Sequence, residues 1–179
     1  MAVDLTLAKQ HSRIESGHED ALLEHYLAAA VAAVEKASGK FLSVKPFSQR
    51  LAGFPRRSPF TVRLFFGPVR TVDEIAFDPA GGGAEEMLGD FRLVEGPQPA
   101  LLPAYGATWP DVLPGPGTVR ISGTAGFADG EAPELDQAVL ALFEHFNFNR
   151  SAVVTGTIAT ELPIGVKALI APHRPVGIG

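Results

Sequence analysis

Cysteine is absent from the 179 residues, and the chain has one tryptophan, two tyrosines and two methionines. The missing thiol excludes disulfide scaffolds, thiolate metal sites and cysteine nucleophiles. Long apolar runs are missing too. No stretch reaches the roughly 18 apolar residues that a membrane-spanning helix needs, so no membrane partner is expected. Met1 to Gln10 contain Asp4 and no apolar core, so no secretory signal is expected. Neither sign of charge prevails strongly: 15 basic residues stand against 20 acidic ones. A net charge of −5 disfavours a protein that coats nucleic acid. At 46% hydrophobic residues the chain is too apolar for disorder and long enough for one globular core.

What is plentiful is glycine and proline, 19 and 15 residues, unevenly spread. Residues 46–133 hold 25 of these 34, whereas residues 1–45 hold only Gly17 and Gly39. That distribution predicts helix, then loop-rich β structure, then helix. Thr6 is a candidate cap for a short helix running from Leu7 to about Arg13. Ser16 and Glu19 have the spacing of a capping box for a second helix. Leu23, Tyr26, Leu27, Ala30, Val31 and Val34 recur there at helical spacing, and Ser38-Gly39 is the expected stop. Alanines at 28–30, 32 and 33 leave this helix slim, open to close approach by a helix of the same or a neighbouring subunit.

The middle predicts strands over Leu42–Leu51, Thr61–Phe66, Val69–Phe77, Phe91–Val94 and Val119–Thr124. Gly81-Gly82-Gly83 reads as a hairpin tip. Gly96 to Gly117 carries six prolines and is expected to wander over the surface. A third helix is expected from Pro133 to Arg150, with Leu135, Ala138, Val139, Leu142, Phe143 and Phe146 on its apolar face. A polar linker, Ser151 to Glu161, leads to a short helix, Gly165 to Ala171. Pro172 to Gly179 read as an extended tail. The fold class is therefore α+β: a small helical bundle (1–43 and 131–171) with an inserted antiparallel β region (44–130) and the tail (172–179), forming one domain.

Charge is also blocked. Residues 36–72 hold eight basic residues and no acid, and residues 73–95 hold seven acids and only Arg92. One strand pair is then basic and its neighbour acidic. Complementary contact between subunits and pairing within one sheet both account for this.

The search for chemistry is negative. His18 and His25 are seven residues apart on one helix, too far for one metal ion, and His18-Glu19 lacks the second histidine of a zinc-protease motif. Gly115-Pro116-Gly117-Thr118 lacks the lysine and spacing of a phosphate loop. No nucleophile elbow exists. The neighbours Asp73/Glu74 and Glu85/Glu86 should point to opposite strand faces and read as solvated. Phe47, Phe54, Phe60, Phe65 and Phe66 interleave with the basic block, which fits base stacking but more simply a β core. His145, beside Glu144, reads as a polar or interface histidine. Catalytic residues, metal and cofactors are thus none, and no enzyme is expected.

Several segments together resemble the head–tail connector (adaptor) family of long-tailed phages and gene transfer agents. They are Leu7-Ala8-Lys9, Glu19-Asp20-Ala21-Leu22-Leu23, Ala28-Ala29-Ala30, Val34-Glu35 and Gly39-Lys40. Trp109-Pro110, Gly123-Thr124-Ala125-Gly126-Phe127 and Pro133 to Arg150 follow, with Ala138, Leu142, His145 and Arg150 at family positions. Leu162-Pro163-Ile164-Gly165-Val166, Ala168-Leu169-Ile170 and Pro172-His173-Arg174 close the match. The chain departs from the family at Asn147, often aromatic there.

The resemblance implies a structural role: a ring, typically of twelve subunits, beneath the portal protein. It extends the DNA channel, through which DNA passes without sequence-specific binding, and docks a stopper or tail-completion protein. Such a protein sits in the neck of the virion or particle, assembled in the bacterial cytoplasm. A C-terminal segment reaching the portal would use Ile170, Pro172, His173, Arg174, Pro175, Val176 and Ile178. Tyr26, Ala29, Ala33, His145 and Arg150 are the candidates for subunit packing. Two alternatives stand beside this reading: a stopper or tail-completion protein of the same particle, and a small hydrolase or sugar-binding β module.

Overall fold

The computed structural model describes residues 3–58, 60–150 and 162–174. The elements are helices and two antiparallel sheets, the α+β class expected. The chain divides into two compact units: Met1–Leu42 with Phe127–Gly179, and Ser43–Gly126.

The first unit is helical. α1 spans Leu5–His11, α2 Asp20–Ser38, α3 Pro133–Phe148 and α4 Ile164–Ile170, the last running into a 3-10 turn at Ala171–His173. The apolar stripes read from the sequence meet in its core. Leu23, Tyr26, Ala30 and Val34 of α2 join Leu135, Ala138, Val139, Leu142 and Phe143 of α3, with Val166 and Ile170 of α4. Burying each large member contributes about 1.5–3 kcal/mol before entropy is counted.

The helix starts differ from the expected ones. Asp4, not Thr6, caps α1: its Oδ1 accepts the Leu7 N–H at 2.7 Å. Both residue types cap well, but an acceptor must stand two or three residues ahead of the amide it serves. Thr6 falls inside the helix instead. The Ser16–Glu19 box does not form. Glu19 itself takes the N-cap position of α2 without a side-chain cap bond, because its carboxylate is committed to Arg150. Lys9 Nζ reaches Asp20 Oδ1 at 2.7 Å, tying α1 to the first turn of α2. The stop at Gly39 is as expected: its φ is 68° and its N–H bonds Glu35 O at 2.9 Å.

The second unit holds a four-stranded sheet, β1 (Lys45–Leu51), β7 (Val119–Ala125), β3 (Val69–Phe77) and β4 (Glu86–Met87), in that order. A three-stranded sheet has the order β2 (Val62–Arg63), β6 (Ala100–Pro103), β5 (Phe91–Val94). β7 is central and alternates strictly between buried and half-buried positions, with Phe47 opposite Gly123 and Leu51 opposite Val119. A Cβ on Gly123 would stand 2.1 Å from Thr71 O. A Cβ on Gly126, where φ is +125°, would stand 2.1 Å from Ser43 O. Only glycine permits either approach.

One expectation for this unit fails and one holds in part. The stretch 96–117 is not all surface loop: β6 lies in it as the middle strand of the second sheet, with Leu101 fully buried. Proline lacks an N–H but keeps its carbonyl, so Pro103 can close the strand and accept Arg92 Nε at 3.1 Å. Asp73 and Glu74 are solvated as expected, but they sit at a bulge rather than in regular alternation. The pairing of β3 with β7 shifts register between Val72 and Glu74, and both carboxylates are exposed.

One buried polar residue joins the two sheets. Gln49 of β1 is only 3% exposed. Its Nε2 donates to Arg63 O at 2.8 Å and its Oε1 accepts the Phe65 N–H at 2.9 Å. Both ends of the amide are thereby satisfied.

Candidate assembly surfaces

In α3 the inward face follows Leu135, Val139, Leu142 and Phe143. Phe148 falls off that spacing and is 75% exposed. In α4, Val166 and Ile170 lie one turn apart in the core, which leaves Ile164 outside at 86% exposure. Between the end of α3 and α4 runs an open groove of about 510 Å³, lined by Ala141, Glu144, His145 and Phe148 of α3 with Val166 and Leu169 of α4. Its polar edge is sparse. Glu144 Oε2 lies 3.6 Å from His11 Nε2. Asn149 Nδ2 donates to His145 O at 3.0 Å and stands 3.3 Å from His145 Nδ1.

The predicted packing residues separate in the structure. His145 lines the groove. Tyr26 is buried in its own helical core, and Ala29 and Ala33 are half-buried on α2. Arg150 is engaged within the chain: its Nη1 and Nη2 meet Glu19 Oε1 and Oε2 at 2.7 and 2.9 Å, and Nη2 also meets Asn147 Oδ1 at 2.9 Å. This bidentate pair joins the end of α3 to the start of α2. The bond to Arg150 and its charge hold the Glu19 carboxyl below its ordinary value.

The predicted portal-binding residues separate likewise. Ile170 is fully buried in the helical core. Pro172 and His173 are not extended; they lie in the 3-10 turn that continues α4. His173 Nε2 is 2.9 Å from Glu134 Oε1, and its ring stands edge-on to Phe127 at 5.9 Å. Glu134 is held below its ordinary value, first by a bond from its own backbone N–H and then by His173. Arg174 is exposed, just past the turn. Pro175, Val176 and Ile178 lie outside the described residues, as does the linker 151–161.

The β unit has a cleft of about 340 Å³ at Phe54, Phe60, Trp109 and Pro110. Phe54 stacks on Trp109 with centroids 4.7 Å apart, and Trp109 Nε1 donates to Phe60 O at 2.6 Å. Arg56 and Asp111 pair beside it. The interleaved phenylalanines divide: Phe47 and Phe54 are core, while Phe60 and Phe65 are exposed. The charge blocks are not a basic strand pair beside an acidic one. β1 and β3 both pair with β7, and the acidic-block residues Asp78 and Glu85 are taken up by Arg120. In the sequence, Phe148 and Ile164 are marked only as apolar residues off the helical stripe.

Among the described residues that line the α3–α4 groove there is no serine, threonine or lysine. Among the described residues, no three of His, Asp or Glu gather as a metal site, and no helix is long and apolar enough to cross a membrane. No protein-family model and no curated protein matches the chain. Solved structures do. A chain in the neck of an empty gene transfer agent particle, computed with C6 symmetry, is 31% identical with a TM-score of 0.76, over 99% of this chain and 92% of that one. A chain in the virion of a native gene transfer agent particle is 30% identical with a TM-score of 0.74, over 99% and 92%. One in the neck of a native particle, computed with C12 symmetry, is 32% identical with a TM-score of 0.69, over 100% and 94%.

The chain belongs to the neck proteins of gene transfer agent particles. As a neck protein its role is structural and its place is the particle neck.

Proposed function

We propose that this neck protein is the head–tail adaptor of its particle. Copies form a ring, twelve by family resemblance, directly beneath the portal, around a channel through which DNA passes. The β unit's loops face the stopper or tail-completion protein. One observation carries the reading: the likeness to neck chains runs through both units and 99% of this chain. Six- and twelve-fold symmetry in those necks supports a ring. The portal contact starts at Arg174 and continues through Pro175, Val176 and Ile178, because Ile170 serves the chain's own core and His173 is held by Glu134.

The test is sedimentation of the purified protein with portal alone. The full chain co-sediments; a chain ending at His173 does not, and its melting temperature is unchanged. Binding by the truncated chain overturns the tail assignment. Binding that requires another neck protein first makes this chain the stopper or tail-completion protein instead.

A further inference from the structure

We infer that the α3–α4 groove receives the outer face of α2 from a second copy of this chain. The inference rests on the ring reading and names the surfaces that close the ring. A closed ring is heterologous: each copy presents two different surfaces that fit one another. The helical unit has two such surfaces. α3 packs on α2 and on α4, while α2 and α4 share little contact, so α2's outer face and the groove belong to separate sides of α3. The groove is lined by the exposed Phe148, and Ile164, between the lining residues Pro163 and Gly165, is exposed as well.

The outer face of α2 presents Leu22, an exposed leucine, with His25 within one turn of it. Charge fits as well. Among the described residues Glu144 meets only His11, at 3.6 Å, longer than a hydrogen bond. Its carboxylate therefore retains capacity for a donor, and His25 of the incoming helix supplies one. Leu22 enters the groove beside Phe148, where an apolar side chain completes the contact.

The absence of native cysteine makes this directly testable, since every thiol on this chain is then an engineered one. Particles are assembled with the double variant L22C/I164C and treated with a short bis-maleimide, which adds one cysteine thiol at each end. A ladder of covalent multiples is expected, with none from either single variant. F148D should lower lateral association about tenfold or more, F148L should restore it, and neither should shift the melting temperature, because the side chain is exposed. A ring seen by electron microscopy with no ladder overturns the inference and leaves the ring standing. Dimers from I164C alone mean a two-fold contact, and a cross-link to another neck protein means another occupant; each overturns it. Particles in which the chain forms no ring overturn the ring reading itself.

Discussion

Replacing Gln49 by alanine should loosen the join between the two sheets of the β unit. The side chain makes two hydrogen bonds, at 2.8 and 2.9 Å, to backbone groups of Arg63 and Phe65. Truncation leaves a carbonyl and an N–H without their partner, in a residue environment that is 97% shielded at Gln49 itself (3% exposed). A fully buried unsatisfied group costs about 1–3 kcal/mol. Both bonds are only partly buried, so water can recover some of this, and the expected total is about 2–3 kcal/mol. Gln49→Leu keeps most of the volume but neither bond and should cost about the same. Gln49→Glu keeps an acceptor for Phe65 yet turns a carboxylate towards the Arg63 carbonyl, and should cost more. The assay is urea unfolding followed by the fluorescence of Trp109, the sole tryptophan, buried in this unit against Phe54. A loss below about 0.5 kcal/mol for both Gln49→Ala and Gln49→Leu, the range of an ordinary surface substitution, would refute the reasoning.

Three further outcomes follow from the same structure. Leu101→Ala should cost about 2–4 kcal/mol by the same fluorescence assay, since Leu101 is fully buried in β6; a near-neutral result would return this stretch to surface loop. Gly126→Ala should prevent soluble folding or lower the melting temperature sharply, because its Cβ meets Ser43 O at 2.1 Å where φ is already +125°; a native-like melt would contradict the packing. For Arg150→Ala the sign follows from Glu19, whose folded value is lowered by Arg150. The pair's contribution is present above the ordinary glutamate range and is lost as pH falls through the lowered folded value. The stability gap between wild type and Arg150→Ala should therefore be widest at neutral pH and close in acid, and a gap that widens in acid would exclude this pair as its source.

Much of the fold was legible because period and punctuation agree in it. The stripes of α2 and α3, the glycine stop at Gly39 and the bounds of Val69–Phe77 and Phe91–Val94 all follow from local pattern. The misses share a cause: each turns on a long-range partner. Glu19 could not be read as bound to Arg150, 131 residues away. β6 is set by pairing with β2 and β5 rather than by its proline-flanked sequence. β4 is a two-residue strand defined wholly by its pairing with β3. Of the candidate surfaces, His145 was legible on its helix, whereas the groove arises only where α4 packs on α3. Ile170 was assigned to the tail because its burial depends on that same packing.

The most direct test of the adaptor reading is electron microscopy of the purified protein mixed with its particle's portal and nothing else. The account expects a ring of this chain seated directly beneath the portal, with residues from Arg174 onward in contact with it. Portal particles that stay bare, and gain this chain only after another neck protein is added, would contradict it.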